Sequence, residues 1–233
     1  MNKSIAILGA TGKLGQGLAL WWAAQGQTVI IGSRRREHAQ LVCQDIQTRL
    51  SRSVQIKVED YAGAAAAADI VVLTVPYTAQ IQTVKSIYKS LNPATIVVDT
   101  TVPLAAGIGD KITRTITPWP GSAAQQVAEG LPEQVRLVAA MHTIAADRLA
   151  QWPNELDGDV LVTGDDPESK ATVSRLIENI PHLRAVDAGP LELARITEQL
   201  TALLISINRN HRTQGVGIRI TGLDGDTNTR SPK

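Results

Sequence analysis

The sequence lacks the features of a disulfide-bonded, membrane-spanning or nucleic-acid-binding protein. Its only cysteine is Cys43, so no disulfide can form within the chain, which favours a reducing compartment. No apolar run approaches the ~18 residues that a membrane-spanning helix needs. The 23 basic and 22 acidic residues leave a net charge of +1, too small to favour nucleic acid or an anionic membrane. We expect a cytoplasmic protein that binds neither.

Common catalytic patterns are also missing. The four histidines are scattered, and no Ser-His-Asp arrangement or metal-ligand spacing accompanies them. No pair of carboxylates is placed convincingly for acid-base work. We therefore predict no metal site and no catalytic side chain. Lys13 and several glycines interrupt the apolar beginning of the chain, which disfavours a secretory signal.

The arrangement of apolar runs predicts an α/β fold. With 233 residues, the chain has room for one full α/β core and a smaller addition. Short apolar runs alternate with helical stretches, as in a Rossmann-type, doubly wound and mainly parallel sheet. The predicted strands are Ile5–Leu8, Val29–Ile31, Val54–Val58, Ile70–Val75, Ile96–Val98, Val135–Ala139 and Val160–Val162. The predicted helices are Gly15–Gln25, Glu37–Leu50, Thr78–Leu91, Ala123–Gly130 and Pro167–Asn179.

Composition divides the chain into three parts. We predict a nucleotide-binding Rossmann domain over 1–186, a small C-terminal helical cap over 187–221 and a flexible tail over 222–233. Residues 99–122 are rich in Gly, Thr and Pro and predict a long functional or mobile loop. The cap contains one amphipathic helix, predicted to pack one apolar stripe over the sheet edge. The stripe consists of Leu193, Ile196, Leu200, Leu203, Leu204 and Ile207.

A glycine loop follows the first predicted strand and is typical of dinucleotide binding. It comprises Gly9, Ala10, Thr11, Gly12, Lys13, Leu14 and Gly15. Glycines let a pyrophosphate approach the backbone N–H groups at a helix N-terminus. In the usual G-x-G-x-x-G spacing Ala10 replaces the first glycine, so we expect a residue with a Cβ to make the tight turn. A nucleoside-triphosphate loop is excluded, because Leu14 stands where a magnesium-binding hydroxyl is needed.

The second predicted strand ends in basic residues. Ser33, Arg34, Arg35 and Arg36 stand where NAD-binding proteins carry an acidic residue for the ribose hydroxyl. Guanidinium groups bind phosphate oxygens in pairs, so this pattern predicts NADP, with Arg34 as the first choice for the 2′-phosphate. A plain glycine-rich turn followed by a solvated helix start remains the alternative.

Two further strands end in residues that we assign to a ligand site. Val75 and Pro76 follow the fourth apolar run and would lie along the dinucleotide. His142 and Ile144 follow the sixth run and would border the nicotinamide. A single histidine after a buried strand is more often structural than catalytic, so we assign His142 to positioning, with proton transfer as the minority alternative.

Six segments in order resemble the NADPH-dependent coenzyme F420 reductases, also called F420-dependent NADP oxidoreductases. The likeness covers roughly 4–220, and the segments around His142 and Pro190 are its most distinctive parts. The segments are Gly9–Leu20, Gly32–Arg35, Val72–Pro76, Ala140–Ile144, Val162–Asp166 and Asp187–Leu191. Members of this family transfer a hydride between NADP(H) and a deazaflavin, coenzyme F420.

The resemblance implies specific contacts and a homodimer. Thr11, Ser33, Arg34, Val75, Pro76, Ile144 and Ala146 would contact NADP. His142, Ile144, Leu203 and Leu204 would border the deazaflavin. Both rings carry the reactive chemistry, so no catalytic acid or base is expected. The departures are Ala10 in the glycine loop and the segment 99–103, which matches the family only loosely.

Two other functions stay open at this point. The first is an NADP-dependent dehydrogenase or reductase of a small hydroxy acid or imine. Such enzymes usually add a large helical domain, whereas only about forty residues follow Asp187. The second is a non-enzymatic NADP-binding redox sensor, for which the loop 99–122 could supply a conformational change.

Overall fold

The computed structural model describes residues 3–154 and 156–223, in which strands and helices alternate. The strands are β1 (Ser4–Leu8), β2 (Thr28–Gly32), β3 (Ile56–Glu59), β4 (Ile70–Leu73), β5 (Ile96–Asp99), β6 (Arg136–Ala139), β7 (Gly158–Gly164) and β8 (Leu183–Asp187). The helices are α1 (Lys13–Ala24), α2 (Arg36–Leu50), α3 (Tyr61–Ala66), α4 (Tyr77–Ile87), α5 (Ala123–Gly130), α6 (Ala146–Leu149), α7 (Pro167–Glu178) and α8 (Ala194–Asn210).

The strands form one sheet in the order β3-β2-β1-β4-β5-β6-β7-β8. All neighbours are parallel except β6 and β7. The first six strands have the order of a dinucleotide-binding sheet, whose direction of winding reverses between β1 and β4. The prediction of a Rossmann-type, mainly parallel sheet is therefore confirmed. Sheets of this kind bind their ligands at the carboxyl ends of the strands where the winding reverses.

Both faces of the sheet are buried, which explains the continuous apolar runs. Alternate residues of β1 point to opposite faces, because side chains alternate along a strand. Ile5 and Ile7 join a core that includes Trp22 of α1, whereas Ala6 and Leu8 join a second core on the other face. Loops, and not core side chains, lie at the carboxyl edge of the sheet.

The C-terminal third contains a strand that the sequence analysis missed. Arg184 interrupts the apolar run of β8 and Asp187 ends it, so the pattern that marks the other strands is absent there. The Asp159 carboxylate in β7, which is fully buried, forms ion pairs with Arg184 and Arg219. The segment after α8 returns to this edge, since Asp159 N–H donates to the carbonyl of Ile218 at 2.7 Å.

The predicted burial of the apolar stripe of α8 is wrong in part. Ile196 and Leu203 are 52% and 54% exposed, whereas Thr197, Glu198 and Ala202 are buried. The helix therefore directs small and polar side chains inward. Leu204 of the predicted stripe is buried as well, so polar and apolar side chains share the buried face of this helix.

No helix within 3–154 and 156–223 is long and apolar enough to cross a membrane. In the same residues, no group of three His, Cys, Asp or Glu side chains could hold a metal ion. Most of the predicted tail, 224–233, lies outside the described residues.

Candidate functional site

The glycine loop makes its tight turn at Gly9. This residue has a φ of +91°, and a Cβ there would lie 2.9 Å from the backbone nitrogen of Val75. The expectation that Ala10 makes the turn is wrong, because the positive φ falls one residue earlier, where a glycine stands. Gly15 is equally constrained, since its Cβ would lie 2.6 Å from both Ala10 Cα and Thr74 Oγ1.

The loop leads into an open helix N-terminus. Helix α1 begins after Gly12, and no side chain of the described residues caps it. A Cβ on Gly12 would approach only the carbonyl oxygen of Gly9, at 3.4 Å. Backbone N–H groups and the helix dipole make such an end a binding site for anions. The geometry fits a pyrophosphate.

Three predicted residues of this loop lie around that end. Thr11 and Lys13 are exposed, whereas Leu14 packs against the core. Lys13 Nζ forms an ion pair with Asp147 at 2.7 Å, which brings the glycine loop close to the start of α6. Both side chains are at least half exposed, so this pair contributes little to stability.

The carboxyl end of β2 presents the predicted basic residues. Ser33 is buried, and its hydroxyl accepts the N–H of Arg35 at 3.1 Å and donates to the Arg35 carbonyl at 3.0 Å. This local turn fixes the chain just before α2. Arg34 and Arg35 are exposed, and Arg34 lies at the wall of a cavity.

That cavity was not predicted from the sequence. It has a volume of about 300 Å³ and lies between the end of β2, the start of α3 and α4. The lining residues are Arg34, Asp60, Tyr61, Ala62, Ala79, Gln82, Thr83 and Ser86. Burial raises the pKa of the Tyr61 hydroxyl, while the charge of Arg34 opposes that shift. The available signal was the position of Tyr61 soon after β3, because parallel strands end at one edge.

Thr74 fixes the end of β4 against β1 where the sheet reverses direction. Its backbone N–H and its hydroxyl both donate to the carbonyl of Leu8, at 2.8 and 3.0 Å. Val75 is buried next to Gly9, and Pro76 precedes α4 at the surface. The structure therefore brings the predicted Val75 and Pro76 to the glycine loop.

His142 lies buried after β6 with an unpaired ring nitrogen. Its carbonyl accepts the Thr201 hydroxyl at 2.7 Å, and its Nδ1 lies 3.4 Å from the Thr197 hydroxyl. Its Nε2 has no hydrogen-bond partner among the described residues. Burial lowers the pKa of His142 to about 4, so the ring is neutral near pH 7. A buried polar atom without a protein partner is available to hydrogen-bond a ligand group.

The remaining residues predicted to contact the coenzymes differ in burial. Ile144 and Ala146 are partly buried in the segment that leads into α6, and Leu204 is buried on α8. Leu203, by contrast, is mostly exposed. The two threonine contacts bring α8 to His142, but the structure does not direct Leu203 inward.

A buried polar network lies at the same edge and was also missed. It joins Gln80 of α4, Asp99 at the end of β5 and Glu198 of α8 through Thr101 and the start of α5. Asp99 follows an apolar strand directly, which was the available signal. The position of Glu198 could not be read from a helix pattern.

Comparisons with known proteins agree with this geometry. The family model described as NADP oxidoreductase coenzyme F420-dependent matches residues 4–103. The F420-dependent NADP reductase of Methanothermobacter thermautotrophicus is 40% identical over 225 residues, which cover 96% of this chain and 97% of that protein. The enzyme of the same name from Methanocaldococcus jannaschii is 40% identical over 223 residues, covering 94% of this chain and 99% of that protein.

Solved structures share the fold. A crystal structure of a candidate F420-dependent NADP-reductase from Arthrobacter sp. FB24 has a TM-score of 0.79 at 24% identity, covering 94% of this chain and 99% of that one. An imine reductase from Aspergillus terreus has a TM-score of 0.62 at 14% identity, and the match covers 91% of this chain but 63% of that one. The near-complete match to the reductases, at 40% identity, shows that this chain belongs to the F420-dependent NADP reductase family.

Proposed function

We infer that the protein is an oxidoreductase that transfers a hydride between NADP(H) and coenzyme F420. The observation that carries this conclusion is the 40% identity along nearly the whole length of reductases with that name. The glycine loop, the basic end of β2 and the unpaired nitrogen of His142 support it independently, since each fits part of a coenzyme.

The glycine loop and the end of β2 fit the phosphates of NADP. The proposed pyrophosphate site consists of Gly9, Ala10, Thr11, Gly12, Lys13, Leu14 and Gly15. Ser33, Arg34 and Arg35 bind the 2′-phosphate in this proposal, with Arg34 as the principal partner. Its support is that Arg34 is exposed at the end of β2, where a guanidinium can bind two phosphate oxygens.

The cavity beside Arg34 fits the adenine base. It adjoins the proposed 2′-phosphate site, and Tyr61 and Thr83 contribute an aromatic ring and a hydroxyl to its wall. Aromatic and guanidinium groups stack on flat rings. We therefore assign this cavity to the adenosine end of NADP.

We place the ring site at the carboxyl ends of β4 and β6, on the side where α8 contacts His142. We assign Val75, Pro76, His142, Ile144 and Ala146 to the nicotinamide side. His142, Ile144, Leu204 and Leu203 border the deazaflavin. The side chain of Leu203 is 54% exposed in the single chain.

The protein's contribution to the reaction is orientation and exclusion of water. When bound, the two coenzymes supply the hydride donor and the hydride acceptor. The neutral His142 ring has Nε2 available as a hydrogen-bonding atom. Its low pKa makes it a poor general acid near pH 7. Small and aliphatic residues such as Ala146 and Ile144 allow flat rings to approach closely. We therefore assign His142 to positioning.

An activity comparison tests the proposed function. Purified protein is mixed with NADPH or NADH and with coenzyme F420, a small imine or a small carbonyl compound, while the absorbance of each coenzyme is followed. We expect turnover with NADPH and F420 only. Turnover with an imine or carbonyl compound alone would favour a small-substrate dehydrogenase, and NADPH binding without any turnover would favour a redox sensor.

We also propose that the chain forms a homodimer. The supporting observation is the exposure of Ile196 and Leu203, which lie seven residues apart on one face of α8. Sedimentation of the wild type should give twice the mass of the chain, and Ile196→Asp should shift it to the monomer. A monomeric wild type would contradict the proposal.

The division into a nucleotide-binding part over 1–186, a cap over 187–221 and a tail from 222 also remains a proposal. The passage from β8 into α8 near Asp187 supports the first boundary. The single cysteine, Cys43, supports a cytoplasmic location, because a chain that forms no disulfide within itself needs no oxidising compartment.

A further inference from the structure

Glu198 is a buried carboxyl group that no part of the proposed hydride transfer uses. The residue is 1% exposed, and its Oε2 and Oε1 accept the backbone N–H groups of Ala123 and Ala124 at 2.9 and 3.0 Å. Burying a carboxylate is costly unless hydrogen bonds replace its hydration. Here the partners are the first two residues of α5, where the helix dipole also favours negative charge. We call this set of contacts the Glu198 clamp.

A second buried carboxyl group, Asp99, belongs to the same network. Thr101 Oγ1 donates to it at 3.1 Å, and Gln80 Nε2 approaches its two oxygens at 3.3 and 3.4 Å. The same amide nitrogen of Gln80 donates to the carbonyl of Ala123 at 3.1 Å. The network therefore joins β5, α4, α5 and α8 without leaving the buried region.

The pKa values of both carboxyl groups are raised, and the charge of Asp99 contributes to the shift of Glu198. Burial raises the pKa of Asp99 to about 7. Burial and the negative charge of Asp99 raise the pKa of Glu198 to about 8, against the two backbone N–H groups. Tyr77 on α4 faces Glu198, and burial together with the Glu198 charge raises the Tyr77 pKa. The neutral His142 contacts Thr197, the residue before Glu198. Strongly shifted groups of this kind concentrate at functional sites.

Helix α8 connects the clamp to His142. Thr197 precedes Glu198 and lies 3.4 Å from His142 Nδ1, and Thr201 donates to the His142 carbonyl at 2.7 Å. Thr197 and Glu198 belong to the buried face of α8, together with Ala194, Ala202 and Leu204. A shift of α8 would therefore move the atoms that hold His142.

We propose that Glu198 is a positioning residue for the deazaflavin ring: the Glu198 clamp fixes α8 to the start of α5 and thereby holds Thr197 and Thr201 against His142. This role rests on the proposed function. It acts on the ring site and leaves the phosphate site unaffected, since none of the hydrogen bonds of this network in the described structure involves the glycine loop or Arg34.

Glu198→Gln tests the clamp, because it keeps the shape of the side chain but replaces the charged acceptor with an amide. The dissociation constants of oxidised F420 and of NADP⁺ are measured separately by fluorescence, at a pH above about 8, where Glu198 is charged. We expect F420 to bind roughly tenfold more weakly, the effect of losing one hydrogen bond to a charged group. NADP⁺ affinity should change less than twofold.

The pH dependence distinguishes positioning from a general loss of stability. Below about pH 7 the Glu198 carboxyl group of the wild type is protonated, so the wild type and Glu198→Gln should bind F420 alike. The ratio of the two F420 dissociation constants, taken at each pH, cancels the effect of any titration of F420 itself. When Asp99→Asn is added to both proteins, their F420 affinities should begin to differ at a lower pH, because the charge that raises the Glu198 pKa is gone.

A double-mutant cycle tests the path through α8. Thr201→Val should weaken F420 binding, and combining it with Glu198→Gln should add little, since both changes release the same helix. Glu198→Asp serves as a second variant if Glu198→Gln does not fold, and it should weaken F420 binding by a smaller factor. Equal losses for both coenzymes, a ratio that does not change with pH, or wild-type F420 affinity in both Glu198 variants would overturn the proposal. Absence of F420 turnover in the wild type would instead contradict the proposed function.

Discussion

The phosphate half and the ring half of the candidate site differ in which parts of the chain form them. The phosphate half combines the backbone of the glycine loop with exposed basic side chains: Gly9 and Gly15 allow close approach, the N-terminus of α1 supplies N–H groups, and Arg34 lies at the end of β2. The ring half consists of buried side chains from distant segments, such as His142 and Glu198. The first half comes from two short local segments of the sequence, whereas the second forms only once α8 has packed.

This difference predicts different responses to mutation. Changes in the phosphate half act through steric space and charge next to the coenzyme. Changes in the ring half act through hydrogen bonds and burial, so they should depend on pH and on each other. Four predictions test this contrast, beginning with the largest expected effect.

Gly15→Ala should have the largest effect. The new Cβ would lie 2.6 Å from the backbone of Ala10, which cannot move without opening the turn. We expect the free energy of unfolding to fall by about 1–3 kcal/mol and NADPH binding to be lost. Thermal unfolding and coenzyme titration measure the two effects. Gly12→Ser is the matched control and should fold normally, since serine suits this N-cap position and meets only one atom, at 3.4 Å. Wild-type stability for Gly15→Ala would contradict the close packing.

Ile144→Trp should abolish turnover while the protein still folds. Ile144 is partly buried in the ring half, so the larger side chain would fill space that the rings need. We expect hydride transfer to fall by about 100-fold or more, because small displacements of reacting groups are costly. Rapid-mixing kinetics measures this loss, and circular dichroism checks the fold. Unchanged turnover would place the reactive rings elsewhere.

Arg34→Ala should weaken NADPH binding roughly 10- to 100-fold and leave NADH binding unchanged. The loss corresponds to one or two hydrogen bonds between charged groups. Arg36→Ala is the matched control, because Arg36 already belongs to α2. Isothermal titration with both nucleotides measures the effect. Equal losses for NADPH and NADH would remove Arg34 from the 2′-phosphate site.

The smallest expected effect is a change in the pH dependence of stability. Folding raises the pKa of Glu198 from 4.5 to about 8, so its contribution to stability is complete below pH 4.5 and is lost as the pH rises through 8. His142 acts in the opposite direction, because its pKa falls from 6.5 to about 4 and stability is lost as the pH falls through that range. Urea unfolding should show that, between pH 4.5 and 8, the free energy of unfolding falls less steeply with rising pH for Glu198→Gln than for the wild type. Parallel curves would show that Glu198 is already charged at low pH.

Most of the fold could be predicted from the sequence, because local patterns specify it. The apolar runs of β1, β4 and β5 are continuous since both of their faces are buried. The pattern failed for β8, whose Arg184 pairs with the buried Asp159 across the strands. It also misassigned the face of α8, because Ile196 is exposed and Glu198 is buried.

The candidate site divides in the same way. The glycine loop and the basic residues after β2 are local motifs, so they can be recognised from the order of residues alone. Tyr61, Gln80 and Glu198 reach the site through contacts between distant segments, and no spacing rule connects them. Whether the assigned residues contact the coenzymes remains a prediction.

Label transfer tests the central claim most directly. The protein is given oxidised F420 and NADPH that carries deuterium at the transferable position of the nicotinamide, and the reduced F420 is analysed by mass spectrometry. If the protein places the two rings in contact and leaves the hydride to them, the deuterium appears on the reduced deazaflavin. Deuterium recovered in the solvent, with none on the deazaflavin, would contradict direct transfer and the site described for it.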